Sequence, residues 1–542
     1  MTKARLPNDK QAELCALPVG NVLLVAPAGC GKTEALAARA RSVLARVKIA
    51  PPQQILALTY SNKAKDNLAS RMRDVIGAGW ERRVQVTNFH GLATRVIMAH
   101  GRRLGIPPDV LLPEEAWRRR CLRDLGIDWQ NGAAFEAALR EAKRGLADDD
   151  AVIRRLREME HGDALAFEEL LRAEGRLDYD DLLRHAGRLL AITAVAALYR
   201  AHFAMVMVDE VQDLSLRQYE IVRAVGGDCV TYAGDPAQGI YSFADADPVG
   251  VIRKIKDLQP TIIEFNQSYR SAPAVLRAVN ALANEIGSTH LECADPGRWA
   301  DEGHVIFIER DDTEDEAKTL LGLIEQILRD PSASIGVVGR RGTRMNHLRA
   351  AAEAAGVSFQ DWSLATHVPK VVALLKRHVR LVTGGEGTPE LAVDKLEALC
   401  REDVEASDAT TLDEIAAACD MLREMTEQGR TVEEAVASCR ETIASDVAVA
   451  PGLHILTGHR GKGQEFDWVI VVGLEDGHVP DFRSKSQAEL DEELRVLHVM
   501  VSRARIGVII TCSAHTMTRK GWRSTAPSPW LGCLRAVATS EI

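Results

Sequence analysis

Along the chain, short continuous apolar runs alternate with stretches in which apolar positions recur every three to four residues. The first pattern predicts buried strands, and the second predicts amphipathic helices packed against them. Val22–Val25, Ile55–Thr59, Arg83–Thr87, Met205–Val208 and Cys229–Ala233 read as strands, and Glu34–Ala45 and Asn62–Ile76 as helices. Strand and helix in alternation imply a parallel sheet that gathers its ligands at the carboxyl ends of its strands. A second α/β region is expected from near Thr261, with strands at Val305–Ile308, Ser334–Val338, Leu453–Leu456, Trp468–Val472 and Gly507–Thr511. Gly91–Leu190 and residues 366–445 read as helices only. The expected fold is α/β, with two cores that each carry a mainly helical insertion. The first core takes residues 1–90 and 191–258, with its insertion at 91–190. The second takes 259–365 and 446–542, with a short insertion at 366–445. No short-period repeat or low-complexity tract interrupts this plan.

Composition adds limits. A chain of 542 residues exceeds one hydrophobic core and implies three or four domains. The net charge of −10 excludes a globally basic surface, but nucleic acid needs only a local basic groove. Ten cysteines from Cys15 to Cys533 include no C-x-x-C pair, which argues against zinc or iron–sulfur centres and for reduced thiols in a cytoplasmic protein. Met1–Lys10 lacks the apolar run of a signal peptide, and no stretch reaches the ~20 apolar residues of a membrane span. No membrane association is expected.

The chemistry begins at Ala26-Pro27-Ala28-Gly29-Cys30-Gly31-Lys32-Thr33, which follows a strand and opens a helix. Backbone N–H groups in such a turn wrap phosphate oxygens, assisted by the positive end of the helix. Lys32 is placed to reach the β- and γ-phosphates of ATP, and the Thr33 hydroxyl to hold Mg²⁺. The first position of this pattern is usually Gly and here is Ala26. Val206-Met207-Val208-Asp209-Glu210 supplies the complement, an apolar strand ending in two carboxylates. Asp209 suits the Mg²⁺ shell, and Glu210 suits polarising the attacking water. An isolated acidic pair is most often solvated surface. Its place after a buried strand, downstream of a phosphate loop, favours the site.

These residues resemble the UvrD/Rep/PcrA-like superfamily 1A DNA helicases, and the resemblance covers nearly the whole chain in the family's order. Asn8-Asp9-Lys10-Gln11 resembles the Q motif, Ile55–Met72 motif Ia and Val86–Leu92 motif Ib. Leu177–Leu183 resembles the D-F-D-D-L-L element, Val208–Asp213 motif II and Gly234–Tyr241 motif III. Asn266–Ser271 resembles motif IV, Thr457–Phe466 motif V and Glu492–Arg505 motif VI. Ala526–Leu531 is similar to the family's closing P-S-R-F-L segment.

The resemblance implies ATP between the two cores. Gln11 would bond the adenine, Tyr269 stack on it and Glu465 touch the ribose. Gln238 would sense the γ-phosphate, and Arg270 and Arg503 would act as arginine fingers from the second core. Such cations stabilise charge in the transition state and link hydrolysis to cleft closure. A single DNA strand would cross the tops of both cores. Tyr60, Phe89, His90 and Phe243 are its candidate aromatic or ring contacts, and Thr59, Asn62, Arg340, Thr457 and His459 its candidate polar ones. Core packing is the bland alternative for each aromatic. Trp522, beyond the last expected strand among Arg519, Lys520 and Arg523, is a candidate strand-separating wedge or a simple surface anchor.

The sequence also departs from the family pattern. Phe243-Ala244-Asp245-Ala246 stands where the family has W-R-G-A, so Ala244 removes a cation near the strand. His498 stands where the family prefers Tyr. The 366–445 insertion is a reduced 2B domain, which favours translocation over processive unwinding. No nuclease signature follows motif VI, so a nuclease or repair partner would be a separate chain. Single-stranded and 3′-tailed duplex DNA are the expected substrates, with 3′→5′ polarity. The alternatives are a DNA-stimulated ATPase or nucleotide-sensing subunit of a nuclease complex, and an RNA-directed enzyme.

Overall fold

A computed structural model describes residues 8–127, 132–240, 246–362, 366–367, 369–382, 388–404, 430–441, 449–518 and 521–542, with single residues and pairs between 415 and 426. Its contacts form two compact units. One comprises Met1–Leu92, Leu190–Ser363 and Ser445–Ile542, and the other Ala93–Leu189 and Leu364–Ala444.

The first unit contains two sheets. The strands β1 (Val22–Val25), β2 (Gln54–Thr59), β3 (Val84–Asn88), β4 (Phe203–Val208), β5 (Val230–Gly234) and β6 (Thr261–Glu264) form one of them. Its order is β3-β2-β4-β5-β1-β6, and every pair is parallel. Leu23, Leu24, Val206, Met207 and Tyr232 are all buried, as expected where apolar side chains on both faces of a strand are covered. The order sets the carboxyl ends of β4, β5 and β1 side by side, and everything that follows from Val25, Val208 and Gly234 therefore meets at one edge.

β6 corrects the expected border. Thr261–Glu264 is not the start of the second region but the edge strand of the first sheet, with Val22 opposite Thr261 and Val25 opposite Glu264. Only Ile263 of its four residues is buried, so its hydrophobic pattern carried no information about which sheet it joins.

Beyond it, β7 (Gln267–Ser268) pairs with β8 (Glu292–Cys293). The strands β9 (His304–Asp312), β10 (Ser334–Gly339) and β11 (Phe359–Asp361) then enter the second sheet. Next come β12 (Thr366–His367) and β13 (Arg440–Glu441), which pair with each other in parallel, so the described residues of the 366–445 segment are not helical throughout. The second sheet is completed by β14 (Gly452–Thr457), β15 (Phe466–Val472), β16 (Ala504–Thr518), β17 (Gly521–Ser524) and β18 (Ser540–Glu541). Its order is β11-β14-β10-β15-β16-β9-β18, with β17 antiparallel on β16.

The second unit is mainly helical among its described residues. Trp117, Phe135, Leu139, Leu156 and Phe167 form one of its cores, and Leu375, Leu396 and Val436 belong to another. Beside the first core lies a buried charge cluster. Lys143 Nζ, fully enclosed, meets Glu168 at 2.9 Å, Asp178 at 2.6 Å and Asp181 at 2.9 Å. Arg184 adds 2.7 Å contacts to Asp181 and Asp149. Burial pushes the Asp178 carboxyl up to about 7, with Asp181 adding to the rise and Lys143 opposing it. Burial likewise pushes the neighbouring His185 down to about 4. Among the described residues no single helix is long and apolar enough to cross a membrane.

Candidate active site

The loop Ala26–Thr33 leaves β1 and wraps into the helix Lys32–Arg46. Ala26 is buried and extends the ladder by donating its N–H to Gly234 O at 2.9 Å, so a methyl group fits at this first position. Gly29 and Gly31 have φ of +81° and +77°, the left-handed region open to glycine. A Cβ on Gly29 would lie 2.7 Å from Arg270 Cβ and 2.9 Å from Ser268 Oγ. Gly29 O also accepts from Tyr269 N at 2.9 Å. The phosphate loop is therefore buttressed by the segment that carries Tyr269 and Arg270, both of which lie just past the first sheet's edge strand.

Lys32 Nζ lies 3.1 Å from Asp209 and 2.5 Å from Glu210. Burial works to lower the ammonium pKa, but the two carboxylates outweigh it and raise it. Burial raises Asp209, against the pull of Lys32. Glu210 is also pushed up by burial, but Lys32 and then Lys462 bring it down to about 2, so it is ionised at physiological pH. Its backbone sits at φ +57°, a sparsely populated region for a non-glycine residue.

The carboxyl end of β5 adds Asp235 and Gln238. Gln238 Nε2 donates to Asp235 Oδ2 at 2.5 Å, and Gln238 Oε1 accepts from Arg503 Nη2 at 3.1 Å. Arg503 is buried beside the helix Gln487–Val501, where its other contacts are Val499 O and Ser502 Oγ. Burial, with the nearby Arg270 charge, pushes Arg503 down to about 9. Arg270 pairs with Glu465 at 2.5 Å and donates to Ser502 O, while its Nε is buried without a hydrogen-bond partner. A buried guanidinium held by neutral acceptors and a second with an orphaned N–H suit an anionic ligand. Lys462 bonds Asp213 at 2.6 Å and Gln238 O at 2.8 Å.

On the base side, Asn8 and Gln11 form a capping box at the helix Asp9–Ala16. Asn8 Nδ2 donates to the Tyr269 hydroxyl at 2.9 Å, which ties that helix to the tyrosine. The Gln11 amide lies close over Gly31, where a Cβ would come within 3.2 Å of Nε2. Among the described residues no cluster of three metal-ligating side chains occurs. Mg²⁺ commonly takes only one or two carboxylates with phosphates and water, so half-buried Thr33 and buried Asp209 are a fitting donor set.

The expected strand contacts fare unevenly. Tyr60, His90, Thr457 and His459 are half-buried near the carboxyl ends of β2, β3 and β14, and Asn62 is exposed, accepting from Asn88 Nδ2 at 2.9 Å. Burial and then the Arg340 charge push His459 down to about 4. Three candidates are corrected. Phe89 is buried in the core, and Thr59 is fully buried with its hydroxyl donated to Ser61 O, so neither offers a face to a strand. Arg340 is spent on a bidentate pair with buried Glu493, at 2.9 and 2.7 Å. Phe243, Ala244 and Asp245 lie outside the described residues. Trp522 is not beyond the last strand but on β17. It is about half exposed and stacks on His347 with ring centroids 6.1 Å apart. Arg519 and Lys520 lie outside the described residues.

Comparison with known proteins agrees with this geometry. Residues 7–259 match the UvrD/REP helicase N-terminal domain, and residues 394–515 the UvrD-like helicase C-terminal domain. The chain belongs to the UvrD-like DNA helicases. The two sheets are accordingly the two RecA-like P-loop cores of this ATP-hydrolysing family. ATP-dependent DNA helicase UvrD2 of Mycobacterium tuberculosis is 25% identical over 97% of this chain and 81% of its own length. DNA helicase II of Escherichia coli is 30% identical over 51% of this chain and 40% of its own. ATP-dependent DNA helicase PcrA of Leuconostoc citreum is 27% identical over 59% and 44%.

Sequence reasoning did not single out Gln212, Asp213, Asp235 or Lys462, although its motifs contain them. Their signal is polarity where the fold is apolar. Gln212, Asp213 and Asp235 are all buried at strand ends.

Proposed function

We propose that the chain uses ATP and Mg²⁺ to move 3′→5′ along single-stranded DNA and to open 3′-tailed duplex. The polarity follows the family resemblance, and the observation that carries the coupling of ATP to movement is the 3.1 Å contact between Arg503 and Gln238. It joins motif VI, beside the second sheet, to motif III at the carboxyl edge of the first. The γ-phosphate sensor and an arginine finger are thus one contact, and loss of the phosphate acts on both. Lys32 and the loop amides take the phosphates, Thr33 and Asp209 the Mg²⁺, and Glu210 the attacking water. Arg270 and Arg503 stabilise the transition state. Gln11, Tyr269 and Glu465 hold the nucleoside. Tyr60, Asn62, His90, Thr457 and His459 remain the strand contacts.

The domain reading becomes cores 1A (1–90 and 191–264) and 2A (265–365 and 446–542), with insertions 1B (91–190) and 2B (366–445). The short 2B favours movement over processive unwinding by the chain alone. A separate nuclease or repair partner, in DNA repair, replication restart, recombination or phage defence, would complete its task. A cytoplasmic location is part of this reading, on the scattered cysteines without a C-x-x-C pair.

ATPase activity with and without single-stranded DNA or RNA tests the reading. DNA is expected to stimulate turnover strongly, and added salt to weaken the effect. Stimulation by RNA alone would overturn the DNA assignment. Absence of any stimulation would favour a nucleotide-sensing subunit. Preferential opening of a 5′-tailed duplex would overturn the polarity.

A further inference from the structure

Glu210 and Gln238 leave neighbouring strands, and one side chain spans the gap between those strand ends. Gln212 is completely buried. Its Nε2 donates to Glu210 Oε2 at 2.6 Å, and its Oε1 accepts from Asp235 N at 3.0 Å. The chemistry fixes this orientation, because an ionised carboxylate only accepts and a backbone N–H only donates. Space is reserved for it as well. A Cβ on Gly234 would fall 2.4 Å from Gln212 Oε1 and 2.7 Å from Val211 Cγ2. Asp235 then passes the connection on, since its Oδ2 holds Gln238 Nε2 at 2.5 Å and Gln238 Oε1 receives Arg503. An unbroken path of hydrogen bonds runs Glu210–Gln212–Asp235–Gln238–Arg503.

We propose that Gln212 is a positioning residue for hydrolysis, which ties the orientation of the Glu210 carboxylate to the Gln238–Arg503 contact. This rests on the reading of Glu210 as the group that orients the attacking water. Glu210 needs such a tie because its backbone is in the left-handed region and its other close partner is Lys32. When Lys32 turns to a bound phosphate, the Gln212 amide is the neighbour that still holds the carboxylate. The amide also reports, through Asp235, whether the sensor and finger are engaged. Gln212 touches no nucleotide atom in this scheme. It acts through Glu210, by holding one carboxylate oxygen in place.

The test compares wild type, Gln212→Met and Gln212→Glu in single-stranded-DNA-stimulated ATPase, with kcat, KM for ATP and melting temperature measured on each. Met keeps the size and removes both hydrogen bonds. Glu keeps the shape and the acceptor but removes the donor. Both variants are expected to lower kcat between about tenfold and about a hundredfold with KM changed little. Should Gln212→Met fail to fold, the isosteric Gln212→Glu carries the test alone. Wild-type kcat in both variants overturns the proposal. So does a loss of activity that appears equally in KM and melting temperature, which marks a packing role. Wild-type protein that shows no DNA-stimulated turnover overturns the proposed function instead, before any variant is compared. Gly234→Ala approaches the same point from the other side and is expected to reproduce the Gln212→Met profile.

Discussion

Lys32 and Lys143 are both lysines set among carboxylates, and they teach opposite things. Lys32 ends a loop at the open carboxyl edge of a sheet, between two acids that follow a strand. Lys143 lies among helices, with three acids around it and no exposure. In the first cage the ammonium's partners are themselves candidate ligands for metal and water, and the adjoining loop is built from left-handed glycines. In the second, Arg184 continues the network with more pairs, and the surroundings are apolar. A buried cation among acids is a site where its cage opens onto a ligand path, and a structural knot where it closes.

Substitution separates the two. Lys32→Ala is expected to lower ATPase turnover by at least about a hundredfold while leaving the melting curve nearly unchanged. Unchanged turnover would place the phosphate elsewhere. Lys143→Met takes the shared cation from three buried carboxylates, of which only Asp181 keeps a close partner in Arg184, and is expected to cost about 3–5 kcal/mol in denaturant unfolding. Turnover per folded molecule is expected to stay near wild type, and a selective loss of activity would make the second cage functional after all.

Acid sharpens the contrast further. His185, beside the Lys143 cluster, is held neutral in the folded protein, with its pKa lowered from the usual 6.5 to about 4. Between those values the unfolded chain binds more protons than the folded one, so stability falls as pH drops from 6.5 towards about 4. Replacing His185 by Gln is expected to remove on the order of 2 kcal/mol of that acid dependence, read from melts at pH 7 and pH 5. An unchanged pH dependence would mean that the imidazole is not held neutral.

The smallest effect is expected at the surface. Arg340 is already neutralised by Glu493. Arg340→Ala is therefore expected to change the slope of log affinity for single-stranded DNA against log salt by well under 0.7. A change near 0.7 would show that Glu493 releases the arginine to a phosphate.

These differences mark where sequence reading succeeds. The strands on both sides of the site were legible because buried parallel strands are continuous apolar runs, and Val22–Val25 has the bounds its composition predicts. Lys32, Asp209, Glu210, Gln238, Arg270 and Arg503 were legible because each stands in a motif whose spacing follows from strand ends. The convergence of Lys32, Asp209, Glu210 and Gln238 required only that β1, β4 and β5 be neighbours, whereas Arg270 comes from beyond β6 and Arg503 from the helix Gln487–Val501. β6 was misread because three of its four residues are exposed, so nothing in its pattern chooses between sheets. Phe89 and Thr59 were misread because an aromatic or hydroxyl at a strand end faces either inward or outward, and packing decides. Arg340 was misread because its partner is 153 residues away in sequence.

The edge strand β6 has one more consequence, which concerns reach. Arg270 follows Glu264 by only six residues, and six fully extended residues span about 20 Å. Tyr269, the preceding residue, is already bonded to the phosphate loop. Arg270 is thus tied through its backbone to the sheet that carries Lys32, while its guanidinium is held by Glu465 and Ser502 beside the second sheet. Arg503 has no such tie, because its helix belongs with the far sheet. Of the two guanidiniums, one stands on the short bridge between the sheets and the other wholly beside the second, so a change in the distance between the sheets would act on Arg503 first.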